Sequence, residues 1–427
     1  MRRVAVTGMG AVSALGLGVP SFWAGVSAGR SGVRRITNFD ATGFLAQVAA
    51  EVPSFDPASH FNDTECEMLD RFSQFALVAT AEACAQSGLM LADGERDRAG
   101  VAIGSAMGGA VTQDDGYKKL YGQGKTRAHP FSIPRIMNNA PAAHISMRYG
   151  LRGPALAIAT ACAAAAHALG ESAEMIRTGR ADVMIAGGAD APITPGITRC
   201  WEAMRVLAPA PSRDPSRACR PFSRDRLGMV LGEGAGILVL ESWERATARG
   251  APILAELAGY GTTSDAEHMT QPGTRSPARA IAMALEQARL APCDIDYVSA
   301  HGTATRLNDS TETTILKLAF GPHATKLAIS STKAVHGHAM GASAALEAIA
   351  TILALRHGVI PPTANYTEPD PACDLDYVPN VPRELAARAA ISNSFAFGGL
   401  NAVLVLRRAE SPAAPVAPRP ATDSDRH

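Results

Sequence analysis

Hydrophobic positions along the chain follow two recurring patterns. Short, nearly unbroken apolar runs read as strands buried on both faces, and longer stretches with apolar residues every third or fourth position read as helices. In the first half the strand-like runs are RRVAVTG, RAGVAIGSA, LAIATAC, DVMIAGGAD and GILVLES. Between them RFSQFALVATAEACAQSG and a segment ending near Thr178 have helical spacing. From Ile253 the order repeats, with ILAELAGYG, the helix ARAIAMALEQARLA, DIDYVSAHGT, LAISSTK, the helix ASAALEAIATILALRHG, AAISNSFAFGG and NAVLVLRR.

Two correspondences are close. LAIATAC followed by a helix matches LAISSTK followed by a helix, and GILVLES matches AVLVLRR. The pattern therefore predicts an α/β protein built by internal duplication, with halves at 1–250 and 251–410. It also predicts that Cys162 and Lys333 occupy equivalent strand-end positions, where such folds place their chemistry. The remaining stretch, 411–427, reads SPAAPVAPRPATDSDRH and is predicted to be a disordered tail.

Composition narrows the function classes. Apolar residues make up 47% and charged ones 19% of 427 residues, which suits large globular cores. Forty basic and forty acidic side chains cancel, so net charge draws the protein to neither nucleic acid nor a membrane. An acidic partner must be met by a local basic patch. The start has no signal-peptide pattern and no apolar run reaches bilayer length, so a cytoplasmic protein is expected. Seven scattered cysteines without a C-x-x-C pair argue against a disulfide framework or structural zinc.

Four segments carry candidate chemistry. Cys162 stands where a strand gives way to the Ala-rich helix AAAAHALGESAEMIRTG, for which Gly179 is the expected left-handed stop. A thiol there feels the positive end of the helix dipole, which favours its thiolate; the alternative is a structural thiol in a buried helix. His301 follows a strand in VSAHGTATRLND, Lys333, His336 and His338 sit in STKAVHGHAMGA, and Phe397 precedes two glycines in NSFAFGGLN. His301, His336 and His338 lack an obvious carboxylate or thiol to complete a metal site, so no metal is expected. TGMGAVSALG resembles a dinucleotide fingerprint but has Ser13 in place of the third glycine. His167 and Glu347, inside predicted helices, read as internal hydrogen-bond partners.

Taken in order, VAVTGMG, YGLRGPALAIATAC, DVMIAGGAD, LGEGAGILVLE, SSTKAVHGHAMGA and NSFAFGGLNAVLVL closely resemble the β-ketoacyl-acyl carrier protein synthases. The branch is that of synthase II and the type II polyketide ketosynthases, in the thiolase superfamily. The resemblance implies a thiolase-like fold of five layers, α-β-α-β-α, and a decarboxylative condensation of an acyl thioester with malonyl-acyl carrier protein. It implies that Cys162 is the acylated nucleophile, and that His301 and His338 form the decarboxylation site, supported by Lys333 and the buried acid Glu347. Thr303 and Thr305 fall at the pantetheine arm, Phe397 at the gate of the acyl pocket and its oxyanion site, Met107 at the pocket's end, and Arg205 at the carrier contact. No cofactor is implied beyond the phosphopantetheine arm of the acyl carrier protein. The partner is a second subunit, either identical or a chain-length-factor-like paralogue.

One departure stands out: Ala163-Ala164-Ala165 follows the cysteine where the family often has a hydroxyl and a glycine. It bears on acyl specificity and points toward a specialised pathway. Two other readings are weighed. A non-catalytic partner subunit would lack the nucleophile, and a thiolase acting on coenzyme A esters would carry a second cysteine where this chain reads NSFAFGGLN.

Overall fold

The computed structural model describes residues 1–409; the tail expected over 411–427 lies outside the described residues. The apolar runs become β1 (Val4–Ser13), β2 (Ala99–Gly104), β3 (Ala155–Ile158), β4 (Val183–Asp190) and β5 (Gly234–Ser242) in the first half. The second half supplies β6 (Ala255–Ser264), β7 (Tyr297–Ser299), β8 (Ala328–Ser330), β9 (Ala389–Ala396) and β10 (Leu400–Arg408). In space their order is 8-7-9-10-6-1-5-4-2-3. Each half thus has the same order, 3-2-4-5-1 counted within the half. The strand directions match too: β2 is parallel to β3 and β4, β7 is parallel to β8 and β9, and the other neighbours are antiparallel. The halves meet where Ala5 and Val6 of β1 pair with Glu256 and Ala255 of β6.

Four helices complete the layering. α1 (Arg71–Ser87) covers β1 and β5 from outside, and α3 (Arg275–Ala288) covers β6 and β10. α2 (Ala164–Arg177) and α4 (Ser343–His357) lie between the two half-sheets, giving the five-layered thiolase-like arrangement. α4 is buried on every side from Ser343 to Leu355, which accounts for its composition of alanine, leucine and isoleucine. Gly8 and Gly10, the glycines of the apparent dinucleotide fingerprint, lie inside β1. A Cβ there would stand 2.0 Å from the Ala83 carbonyl oxygen and 1.8 Å from that of Ala79. They serve the close approach of α1 to the sheet, with no phosphate turn involved.

The duplication is offset from the pairing read in the sequence. Both central helices are entered by one left-handed residue, Ala161 at φ 49° and Met340 at φ 46°, opening a 3-10 turn. These turns span Ala161–Ala163 and Met340–Ala342. The counterpart of Cys162 is therefore Gly341, and the expected equivalence with Lys333 is corrected. Lys333 belongs to a short helix, Lys333–His336, inserted between β8 and the turn. Among the described residues no helix is long and apolar enough to cross a membrane.

Candidate active site

Cys162 is in the 3-10 turn just before α2 and is buried, where the sequence suggested the helix terminus itself. The left-handed Ala161 before it costs roughly 1 kcal/mol, a strain that the packed turn holds in place. The inserted segment after β8 sends His338 back toward this turn, so that His338 Nε2 lies 3.1 Å from Cys162 Sγ. His301 follows β7, and its ring meets that of His338 edge to face, with centroids 5.6 Å apart. One ligand atom from each of Cys162, His301 and His338 lies within 4.8 Å of the others. The thiol that the histidine set lacked in the sequence is thus Cys162. His336 turns away, with its Nε2 2.9 Å from Thr332 Oγ1.

Lys333, fully buried, donates to the His301 carbonyl oxygen at 2.7 Å, forms an ion pair with Glu347, and stands 3.5 Å from His301 Nδ1. Among its hydrogen bonds none reaches His338. The Nδ1 of His338 instead meets Ser343 Oγ at 2.8 Å. Burial dominates the protonation of Cys162, Glu347 and the two histidines. It pushes the Cys162 thiol up to about 11 against the pull of Lys333, and Glu347 up to about 7. It holds both histidines well below 6.5, with Lys333 acting in the same direction. The resting site is a thiol beside two neutral imidazoles, so desolvation outweighs the helix-end effect expected from the sequence.

A cavity of about 300 Å³ opens onto these groups. Thr303 and Thr305 line it, with their hydroxyls 2.8 Å apart. Phe397 lines it as well and stacks on Trp201 at 5.8 Å. Met107 is not among the lining residues; its peptide N–H donates to Asp190 at 3.0 Å. Arg205 is exposed between Met204 and Val206, both of which face the cavity. His167 is tied to Thr160, Ala163 and Thr262, an internal partner.

Several supporting residues escaped the sequence reading. Asp190, at the end of β4, accepts the N–H groups of Ala106, Met107 and Gly341 and the Ser105 hydroxyl, joining the turns of the two halves. A Cβ at Gly341 would come within 2.6 Å of that carboxylate. Glu312 accepts the N–H groups of His301 and Gly302, both at 2.8 Å. An acid closing an apolar strand was a readable signal for Asp190. Nothing in the pattern distinguished Glu312, Trp201 or Ser343.

A duplicated five-layered fold that brings a buried thiol and two histidines to its centre defines a condensing enzyme of the thiolase-like class. Residues 1–246 match the family described as "Beta-ketoacyl synthase, N-terminal domain" and residues 254–367 match "Beta-ketoacyl synthase, C-terminal domain", so the chain belongs to the beta-ketoacyl synthase family. It is 46% identical to Nodulation protein E of Rhizobium meliloti, over 95% of this chain and 99% of that protein. To 3-oxoacyl-[acyl-carrier-protein] synthase 2 of Coxiella burnetii it is 43% identical, over 95% and 99%. Among solved structures, a type II polyketide synthase acyl-carrier protein in complex with its ketosynthase superposes with a TM-score of 0.89 at 36% identity, covering 96% of this chain and 100% of that one. The ishigamide ketosynthase/chain length factor gives 0.88 at 39%, with coverage of 96% and 100%. The chain is a ketosynthase of the kind that serves fatty acid or polyketide synthesis.

Proposed function

We propose that this protein elongates acyl chains by decarboxylative Claisen condensation, as an acyltransferase with Cys162 as its nucleophile. The observation that carries the reading is the convergence of the Cys162 thiol with the His301 and His338 rings in the lining of one cavity. In the first step Sγ attacks the thioester carbonyl of an acyl carrier protein. A new C–S bond forms, the old one breaks, and the thiol proton leaves with the departing carrier thiol. Backbone N–H groups of Cys162 and Phe397 are the proposed donors to the developing oxyanion.

In the second step a malonyl thioester loses carbon dioxide, and the electrons of the broken C–C bond become an enolate. N–H groups of His301 and His338 hold the enolate oxygen while its carbon attacks the acyl-cysteine and expels the thiolate. Neutral imidazoles suit this task because they donate without first carrying a charge, and burial keeps both rings neutral. Lys333 and Glu347 support His301, Thr303 and Thr305 line the way in for the pantetheine arm, and Phe397 on Trp201 gates the route toward Met107.

The chain's partners are an acyl carrier protein, met by Arg205 at the mouth, and a second subunit. The outermost strand β3 supports the latter: three of its four residues are exposed at a free sheet edge. No cofactor besides the carrier's arm takes part, and the reaction belongs in the cytoplasm. The purified chain, given acyl- and malonyl-carrier protein, is expected to release carbon dioxide and form a 3-oxoacyl product. Failure to condense with any acyl carrier thioester, alone or with a cysteine-less paralogue, would refute the proposal.

A further inference from the structure

The two histidines are held by different means. His301 Nδ1 faces the Lys333 ammonium, which has only hydrogens to offer, so the ring hydrogen of neutral His301 sits on Nε2. His338 has no such neighbour. Its Nδ1 faces the hydroxyl of Ser343, the first residue of α4, and both side chains are almost wholly buried. A hydroxyl can donate or accept, so the choice rests on what else Ser343 Oγ can reach. His338 Nδ1 is its one hydrogen-bond partner among the described residues. If Ser343 accepted from Nδ1–H, its own hydrogen would be buried without an acceptor. If it donates, only lone pairs are left over, the cheaper outcome.

We propose that Ser343 is a positioning residue that donates its hydroxyl hydrogen to Nδ1 of His338 and thereby fixes the ring hydrogen on Nε2, toward Cys162 and the cavity. Ser343 does for His338 what Lys333 does for His301. Both rings then turn N–H groups on the centre, a geometry made for an oxyanion. A metal ion would meet hydrogens instead of lone pairs on two of the three ligand atoms. The catalytic use of this arrangement rests on the proposed function; the tautomer itself does not.

Two measurements test it. With ring nitrogens labelled, nitrogen-15 NMR of the unliganded wild-type protein is expected to show a protonated Nε2 and a bare Nδ1 at His338, as at His301. Ser343→Ala, which removes one atom at the start of a helix, is expected to disturb that signature at His338 while leaving His301 unchanged. It should also slow carbon dioxide release from malonyl-carrier protein about fivefold, the factor one net hydrogen bond is worth, at unchanged KM. Ser343→Thr, which keeps the hydroxyl, should recover most of the rate and the wild-type signature. A protonated Nδ1 at His338 in the wild-type protein, or a Ser343→Ala protein with unaltered signature and rate, would overturn the assignment. The ring signals require no thioester. A wild-type protein with the stated tautomer that never decarboxylates malonyl-carrier protein would contradict the proposed function and leave the place of Ser343 standing.

Discussion

Replacing Lys333 with methionine removes the one ammonium paired with Glu347, and both side chains are almost fully buried. Methionine fills similar space, so the change isolates charge from packing. Breaking a buried pair by removing one partner costs about 3–5 kcal/mol, because the other charge is left uncompensated. The pH dependence identifies that charge. In the wild-type protein burial raises Glu347 from 4.5 to about 7. Unfolding therefore releases a proton between these values, and the group's contribution falls by about 3 kcal/mol as pH rises from 4.5 to about 7, then stays constant. Without Lys333 nothing opposes burial, the carboxyl titrates higher still, and the fall continues above pH 7. The stability gap between wild type and Lys333→Met is thus expected to widen by roughly 1.4 kcal/mol per pH unit between about pH 7 and 9. Urea unfolding at a series of pH values reads this directly. Adding Glu347→Gln to the variant should recover much of the loss and flatten the curve. Parallel wild-type and variant curves across that range would show that Glu347 does not hold a proton in the folded variant, and the electrostatic account of this pair would fail.

The other perturbations separate the steps. His301→Ala is expected to abolish carbon dioxide release from malonyl-carrier protein while acyl loading of Cys162 persists; labelled carbon dioxide and intact-protein mass read the two steps apart. Arg205→Glu should raise the apparent KM for carrier protein by roughly tenfold, the effect of about 1.4 kcal/mol at a charged contact, and spare transfer from small thioesters. Equal loss with both substrates would make Arg205 a structural residue. Met107→Trp should shorten the acyl primers accepted if the Phe397–Trp201 pair opens toward it, and an unchanged chain-length profile would place the limit elsewhere.

The fold was legible wherever hydrophobic runs dictate elements. GILVLES and AVLVLRR became β5 and β10, equivalent strands of the two halves. Gly179 stands just past α2 at φ 75°, the left-handed stop read from the sequence. The pairing of Cys162 with Lys333 misled because strand pattern alone cannot reveal that a short helix is inserted before the second turn. The true mate is a glycine, invisible to a search for chemistry. Cys162, His301, His338 and Lys333 were singled out because reactive side chains beside Gly and Thr stand out after apolar strands, and the fold brings these four together. Beyond the support of Lys333 and Glu347 that the resemblance implied, the hydrogen bonds that orient them were not legible. Glu312 reaches His301 from eleven residues away, and Asp190 holds Gly341 across 151. Such partnerships arise from the demand that buried polar groups be satisfied, a property of the packed core with no local sequence signature.

The central claim is that Cys162 accepts the acyl group, and intact-protein mass spectrometry tests it most directly. After incubation with an acyl-carrier protein thioester, the wild-type chain is expected to gain the mass of one acyl group. Cys162→Ala, a small change in the tight 3-10 turn, should remain folded and gain none. Undiminished acylation of the Cys162→Ala protein would contradict the account.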